Sequence, residues 1–219
     1  MNKRIIVFGG NGRIGNQIAK MAIQKGYEVT CLGRSVSLEN IPKGALPLQG
    51  DVTDESIISE VVKQFDVVIL ALSIPRNSKS PFARVTGPLN LHSNSMKILL
   101  KKLNKSKTKR IIKISAQGVG NSKSRTGLFF RILIKMSNLR FAFNDHEKAD
   151  MMLKDTDLDW TIIRPPILKD QFRGKKIIGD ELLITRSNTT ISRPDLAKWI
   201  VEIIDEPGFY RRCVTVSEE

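Results

Sequence analysis

Acidic residues are missing from a long central part of this chain. Between Asp66 and Asp145 there is no Asp or Glu, yet the same stretch holds 16 Lys and Arg. The remaining residues carry 20 basic and 22 acidic side chains, so the whole net charge of +14 comes from the middle. Aromatic residues are also scarce, at 6%. The basic stretch lacks the interleaved stacking platform and the recognition motif of a nucleic-acid binder, and nucleic acid is not the expected partner. Solvated surface charge that draws in a polyanionic cofactor is the simpler account. Docking of the 67–144 stretch to an anionic surface or a protein partner is the alternative.

The two cysteines, Cys31 and Cys213, lie far apart without metal spacing, and free buried thiols in a reducing compartment are expected. His92 and His146 are the only histidines, and neither has the neighbours of a metal ligand, so no metal site is expected. With no apolar run long enough for a span and no apolar stretch followed by a cleavage site near residue 1, neither a membrane span nor a cleaved leader is expected. A cytoplasmic protein is the expectation. At 219 residues one domain with a sizeable core is expected.

What the chain does have is an apolar strand that runs into glycines. Ile5-Ile6-Val7-Phe8 leads into Gly9-Gly10-Asn11-Gly12-Arg13-Ile14-Gly15. Ile14, Ile18, Met21 and Ala22 then recur at helical spacing, Gly26 ends the helix, and residues 27–32 read as a second strand. This is a βαβ unit whose turn suits a pyrophosphate. Gly9 permits the turn, Gly12 lets backbone approach phosphate, and Gly15 lets helix and strand pack closely. The helix N-terminus points free N–H groups at the anion.

The second strand ends Leu32-Gly33-Arg34-Ser35, without the acid that accepts from the ribose hydroxyls in an NAD site. Arg34 offers a guanidinium fork to a 2′-phosphate and Ser35 a hydroxyl, which favours NADP(H). The plainer reading of Arg34 is a solvated loop cation. Arg13 adds charge beside the pyrophosphate.

Strands then alternate with helices. Strands are expected at 45–50 (an edge, because of Pro47), 66–71, 110–115 and 159–164. Helices are expected from Thr53 or Asp54 to Gln64, up to about Leu103, and over 143–154. Past Pro166 short strands are expected near 176–178 and 182–185, then a helix over 194–205 and a last strand over 212–216. Ser192 or Arg193 would cap that helix, with Pro194 in its first turn. The fold expected is a single Rossmann-like, doubly wound parallel α/β sheet over 1–219. Residues 167–192 and 206–219 contribute a small C-terminal substrate lobe. Ligands in such sheets lie across the strand ends, which nominates Ala71, Leu72 and Ser73, then Ser115, then Pro165, Pro166 and Ile167.

The glycine turn, Arg34, Asp51-Val52 after the third strand, Ser115, residues 160–166 (Trp-Thr-Ile-Ile-Arg-Pro-Pro) and residues 191–197 (Ile-Ser-Arg-Pro-Asp-Leu-Ala) together resemble the atypical short-chain dehydrogenase/reductase superfamily. Within it the chain is most similar to the NAD(P)H-binding branch with biliverdin IXβ reductase (flavin reductase) and NmrA-like proteins. The resemblance covers nearly the whole chain. It implies that Asp51, Val52, Pro165, Pro166 and Ile167 contact the cofactor, the last three at the nicotinamide face.

Ordinary members of the superfamily use a Tyr-x-x-x-Lys pair as proton donor. Here neither Tyr27 nor Tyr210 has a Lys four residues on, and Asn144 and Lys148 stand at the two positions. Phenol-driven alcohol oxidation is thus not expected. The flavin reductase-like branch also lacks that tyrosine, and similarity to it implies hydride transfer from NADPH to a planar conjugated acceptor (a flavin, tetrapyrrole or quinone). Ser115 would bond the acceptor or the nicotinamide amide, or else only local backbone. His146, in Asn144-Asp145-His146, would orient substrate or relay a proton, or else be a helix-surface histidine. Lys148 is either a ribose ligand or an exposed lysine. A non-catalytic NADP-binding sensor of the NmrA-like kind is the alternative function.

Over 126–143, Leu128, Phe129, Ile132, Leu133 and Met136 share a helical face while Arg131 and Lys135 lie on another. A lid over the active site is the first expectation. Core packing and a membrane-surface or partner-docking helix are the others.

Overall fold

The structure is a computed structural model and describes residues 2–103 and 108–219. Lys105 and Lys107 of the basic stretch lie outside the described residues.

Eight strands form one sheet. In chain order they are β1 (Arg4–Phe8), β2 (Glu28–Gly33), β3 (Leu46–Gln49), β4 (Val67–Leu70), β5 (Arg110–Ile114), β6 (Asp159–Arg164), β8 (Ile177–Asp180) and β10 (Arg212–Glu218). Their spatial order is β3-β2-β1-β4-β5-β6-β10-β8, parallel throughout except for antiparallel β8 at one edge. Two short strands, β7 (Ile167–Lys169) and β9 (Thr190–Ser192), pair separately. The order reverses between β1 and β4, which opens a crevice beyond their C-terminal ends.

The apolar runs of β1 and β4 are buried on both faces, as a covered parallel sheet requires. Side chains alternate sides. Ile5 and Val7 pack with Ile18 and Ala22 of α1 (Arg13–Gln24) and Leu196 and Ile200 of α6 (Arg193–Glu202). Ile6 and Phe8 face the other layer. There they meet Ile58 of α2 (Glu55–Gln64), Leu99 of α3 (Leu91–Leu103) and Leu153 of α5 (Leu139–Lys154). Asp54 caps α2 and Ser192 caps α6. The fold is therefore the Rossmann-like, doubly wound α/β architecture expected, with β3 at an edge.

The C-terminal part differs in detail from the reading of the chain. Residues 206–219, expected in a lobe, supply β10, an interior strand of the main sheet. Residues 182–185 are no strand, because the Asp180 carboxylate accepts from the Leu182 N–H and turns the chain at the end of β8. The helical pattern over 126–143 splits into α4 (Leu128–Met136) and the start of α5. The break is at Ser137, where the backbone is extended and the hydroxyl accepts from Leu139 N–H. Among the described residues no helix is long and apolar enough to cross a membrane.

Candidate active site

The crevice at the reversal point is a cleft of about 480 Å³, within the range of cofactor pockets. Its floor is the glycine turn. Gly9 adopts φ +78°, and a Cβ there would sit 2.8 Å from the Ala71 carbonyl oxygen. Gly12 donates to the Gly9 carbonyl at 2.9 Å and begins α1 without a side-chain cap, and the first turn carries no acid. The amides of that turn therefore remain for an anion. Gly15 does not line the cleft. It sits behind the turn, where a Cβ would stand 2.1 Å from the Gly9 oxygen, so only glycine lets helix and turn meet this closely.

Gly9, Asn11, Gly12, Arg13 and Ile14 from the turn line the cleft with Arg34 and Ser35 after β2, Asp51 and Val52 after β3, and Ala71, Leu72 and Ser73 after β4. Asn11 donates to the Ser35 hydroxyl at 3.1 Å and holds it toward the turn. Arg34 is exposed, with its carbonyl fixed by Gln49. Bonds from Thr53, and after them the Arg34 charge, hold the Asp51 carboxyl below its usual range.

Arg13 is not free for phosphate alone. Its guanidinium grips Asp170 beyond β7, and Arg193 at the start of α6 binds the same carboxylate at 2.6 Å. Both arginines line the cleft, so its mouth carries two guanidiniums against one carboxylate.

The inner end holds Ser115 and His146, backed by a buried charge cluster. The Ser115 hydroxyl donates to Asp150 at 3.0 Å, not to local backbone. The same carboxylate accepts from Lys113 at 2.7 Å and Arg164 at 3.2 Å. Lys113 also lies 3.1 Å from His146 Nδ1. An ammonium only donates, so Nδ1 must accept, and Nε2 then carries the ring proton. Burial, and then the Lys113 charge, push the His146 imidazole well below its ordinary value. His146 stacks on His92 with ring centroids 3.8 Å apart. Its neighbour Asp145 accepts from His92 N–H at 2.7 Å and Ser93 N–H at 3.0 Å, capping α3. One helix thus caps another and places both His146 and Asp150.

Three expected contacts do not reach the cleft. Pro165 and Pro166 are buried, and the Pro165 carbonyl accepts from Gln117 N–H. Ile167 points outward because β7 pairs with β9 at this register, and alternation turns Leu168 inward instead. Asn144 and Lys148 are exposed and outside the cleft lining, so Lys148 reads as a helix-surface lysine. No residue of α4 lines the cleft either, which corrects the lid expectation. Lys113, Asp150, Arg164, Arg76, Leu168 and Arg193 also belong to the site or back it, with no site role legible in the sequence. The signal for Lys113 is a cation flanked by apolar residues inside a strand, Ile111-Ile112-Lys113-Ile114.

A family model described as NAD(P)H-binding matches residues 9–207. The protein YwnB of Bacillus subtilis (strain 168) is 25% identical over 225 residues, covering 99% of each chain. A short-chain dehydrogenase/reductase of Veillonella parvula DSM 2008, solved in complex with NADP, superposes with a TM-score of 0.78 at 18% identity, over 100% of this chain and 95% of that one. ChuY of Escherichia coli O157:H7, an anaerobilin reductase, superposes with a TM-score of 0.77 at 17% identity, over 98% of this chain and 97% of that one. At such identities the structural likeness speaks for the fold. With a glycine turn built for a dinucleotide and a family match across most of its length, the chain belongs to the NAD(P)H-binding family.

Proposed function

We propose that this protein is an NADPH-dependent reductase that delivers hydride to a conjugated acceptor, such as a flavin, a tetrapyrrole or a quinone. The observation that carries the reading is the charge cluster behind Ser115. Lys113 and Arg164 share one carboxylate, Asp150, so two buried cations stand behind the inner cleft. NADPH supplies the hydride when bound. The protein's part is to bind, to orient and to accommodate charge.

The glycine turn and the first amides of α1 suit the pyrophosphate, and Arg34 with Ser35 suits the 2′-phosphate. Ser115, held by Asp150, would position the acceptor or the nicotinamide amide. The Nε2–H of neutral His146 is a hydrogen-bond donor, suited to an acceptor carbonyl or ring nitrogen. Negative charge that develops on the acceptor meets the field of Lys113 and Arg164 without reorganisation. The proton that completes the reduction comes from solvent or substrate, since Asn144 stands at the tyrosine position.

The test is NADPH oxidation followed by near-ultraviolet absorbance, with FMN, a linear tetrapyrrole and a quinone as separate acceptors. Turnover above the enzyme-free rate that falls in Ser115→Ala is expected. The second reading is a non-catalytic NADP-binding sensor, which the lack of a phenol among the described cleft residues leaves open. Tight NADPH binding with no acceptor reduced would select it.

A further inference from the structure

Helix α4 leaves an apolar ridge uncovered. Leu128, Phe129, Ile132 and Met136 are 67%, 75%, 47% and 69% exposed. The inner side of the helix is partly covered. Phe130 meets Phe143 edge-to-face at 6.4 Å, and Ile134 lies over Gly118. The outward set is therefore a second apolar arc. Stepping 3.6 residues per turn puts Arg131 and Lys135 directly beside it. Both cations are exposed, and neither makes an ion pair among the described residues.

Two loops extend the ridge. The Thr126–Thr185 bridge sets residues 182–184 beside the start of α4, with Leu182 72% and Ile184 77% exposed. At the other end the Asn138 amide donates to the Phe82 and Ala83 carbonyls, and Phe82 is 62% exposed. Seven of the 14 large apolar side chains exposed on the described surface thus belong to three segments tied together at α4.

Charge says what would cover this ridge. Helix α4 lies inside the stretch with 16 basic and no acidic residues. Protruding side chains flanked by unpaired cations suit a surface that is soft, apolar below and anionic above. The long Arg and Lys stems can lie along the apolar arc while their heads reach phosphates. At 1.5 Å per residue the helix is about 14 Å long, far short of a span, so it would lie in the surface plane. Apolar insertion and basic attraction together give reversible interfacial binding.

We propose that α4 and its two flanking loops are a docking face for an anionic lipid surface, with the Leu128, Phe129, Ile132 and Met136 side chains inserted and Arg131 and Lys135 among the headgroup phosphates. The lid expected over the active site is then a peripheral anchor, joined directly to the helix that carries His146 and Asp150.

Co-sedimentation of the full chain with vesicles tests this. Phosphatidylglycerol–phosphatidylcholine vesicles should retain the protein, and phosphatidylcholine alone should not. Retention should weaken with salt. Leu128→Ser with Phe129→Ser should lower partitioning about tenfold or more, as should Arg131→Glu with Lys135→Glu. NADPH binding should persist in both variants, because none of these residues lines the cleft. Unchanged retention in the serine variant would overturn insertion. Absence of retention on anionic vesicles would overturn the proposal. If the wild type were instead a dimer that the serine variant dissolves, the ridge would be a contact between copies and the proposal would again fail.

Discussion

Replacing Lys113 by Met tests the buried cluster most sharply, because the side chains of Lys113 and Asp150 are only 1% and 2% exposed. Breaking a buried pair by removing one partner costs about 3–5 kcal/mol. In Lys113→Met the Asp150 carboxylate keeps Arg164 at 3.2 Å and Ser115 at 3.0 Å, so the cost should fall near the lower end, about 3 kcal/mol. Asp150→Asn is the harsher change. It leaves Lys113 and Arg164 buried together without their carboxylate, and about 5 kcal/mol is expected. Urea denaturation reads this directly, since both tryptophans, Trp160 and Trp199, are buried and report unfolding by fluorescence. Should Lys113→Met cost more than Asp150→Asn, or both cost under about 1 kcal/mol, the cluster is not organised around this carboxylate.

Four further outcomes follow from the same geometry. Arg34→Glu should weaken NADPH binding far more than NADH binding in a fluorescence titration, and equal losses would refute the 2′-phosphate role. Gly15→Ala would push a methyl group within 2.1 Å of the Gly9 oxygen. It should cost about 1–3 kcal/mol and lower affinity for both nucleotides, so normal NADPH affinity would sink the assignment. Ser115→Ala should lower turnover while largely sparing NADPH affinity, and unchanged kcat would leave Ser115 a purely structural partner of Asp150. Burial holds the His92 and His146 imidazoles well below their ordinary value in the folded state. As pH falls below about 6.5 the unfolded chain takes up protons first, so stability is full above that pH and drops by at most about 1.4 kcal/mol per unit per histidine. The His92→Gln, His146→Gln double variant should show a shallower acid slope in urea titrations, and a slope like the wild type's would contradict the argument.

Much of the cofactor half was legible because its signals are local. An apolar strand, three glycines at fixed spacing and a Gly26 stop define one βαβ unit within about thirty residues of chain. Pro47 marked an edge strand, and Ser192 with Pro194 marked a helix start, by the same local chemistry. The inner end of the site depends on contacts distant in sequence. Lys113 meets His146 and Asp150 across 33 and 37 residues, and the spacing of a chain does not disclose which carboxylate a buried cation will find. Strands β7 and β9 have three residues each, too few for a period of two to declare itself, so the choice between Ile167 and Leu168 depended on a register set only by pairing. The pattern of α4 was visible as a helical face. The break at Ser137, where the backbone is extended, is a single-residue event that the helical period does not register.

The central claim is that this cleft passes hydride from NADPH to a planar acceptor. Mixing the NADPH-saturated protein with FMN in the absence of oxygen, and recording nicotinamide and flavin absorbance together, tests it most directly. Loss of both signals in equal molar amounts, faster than without protein, is the predicted result. NADPH bound tightly while both absorbances stay at the protein-free rate, with a tetrapyrrole and a quinone giving the same answer, would contradict it.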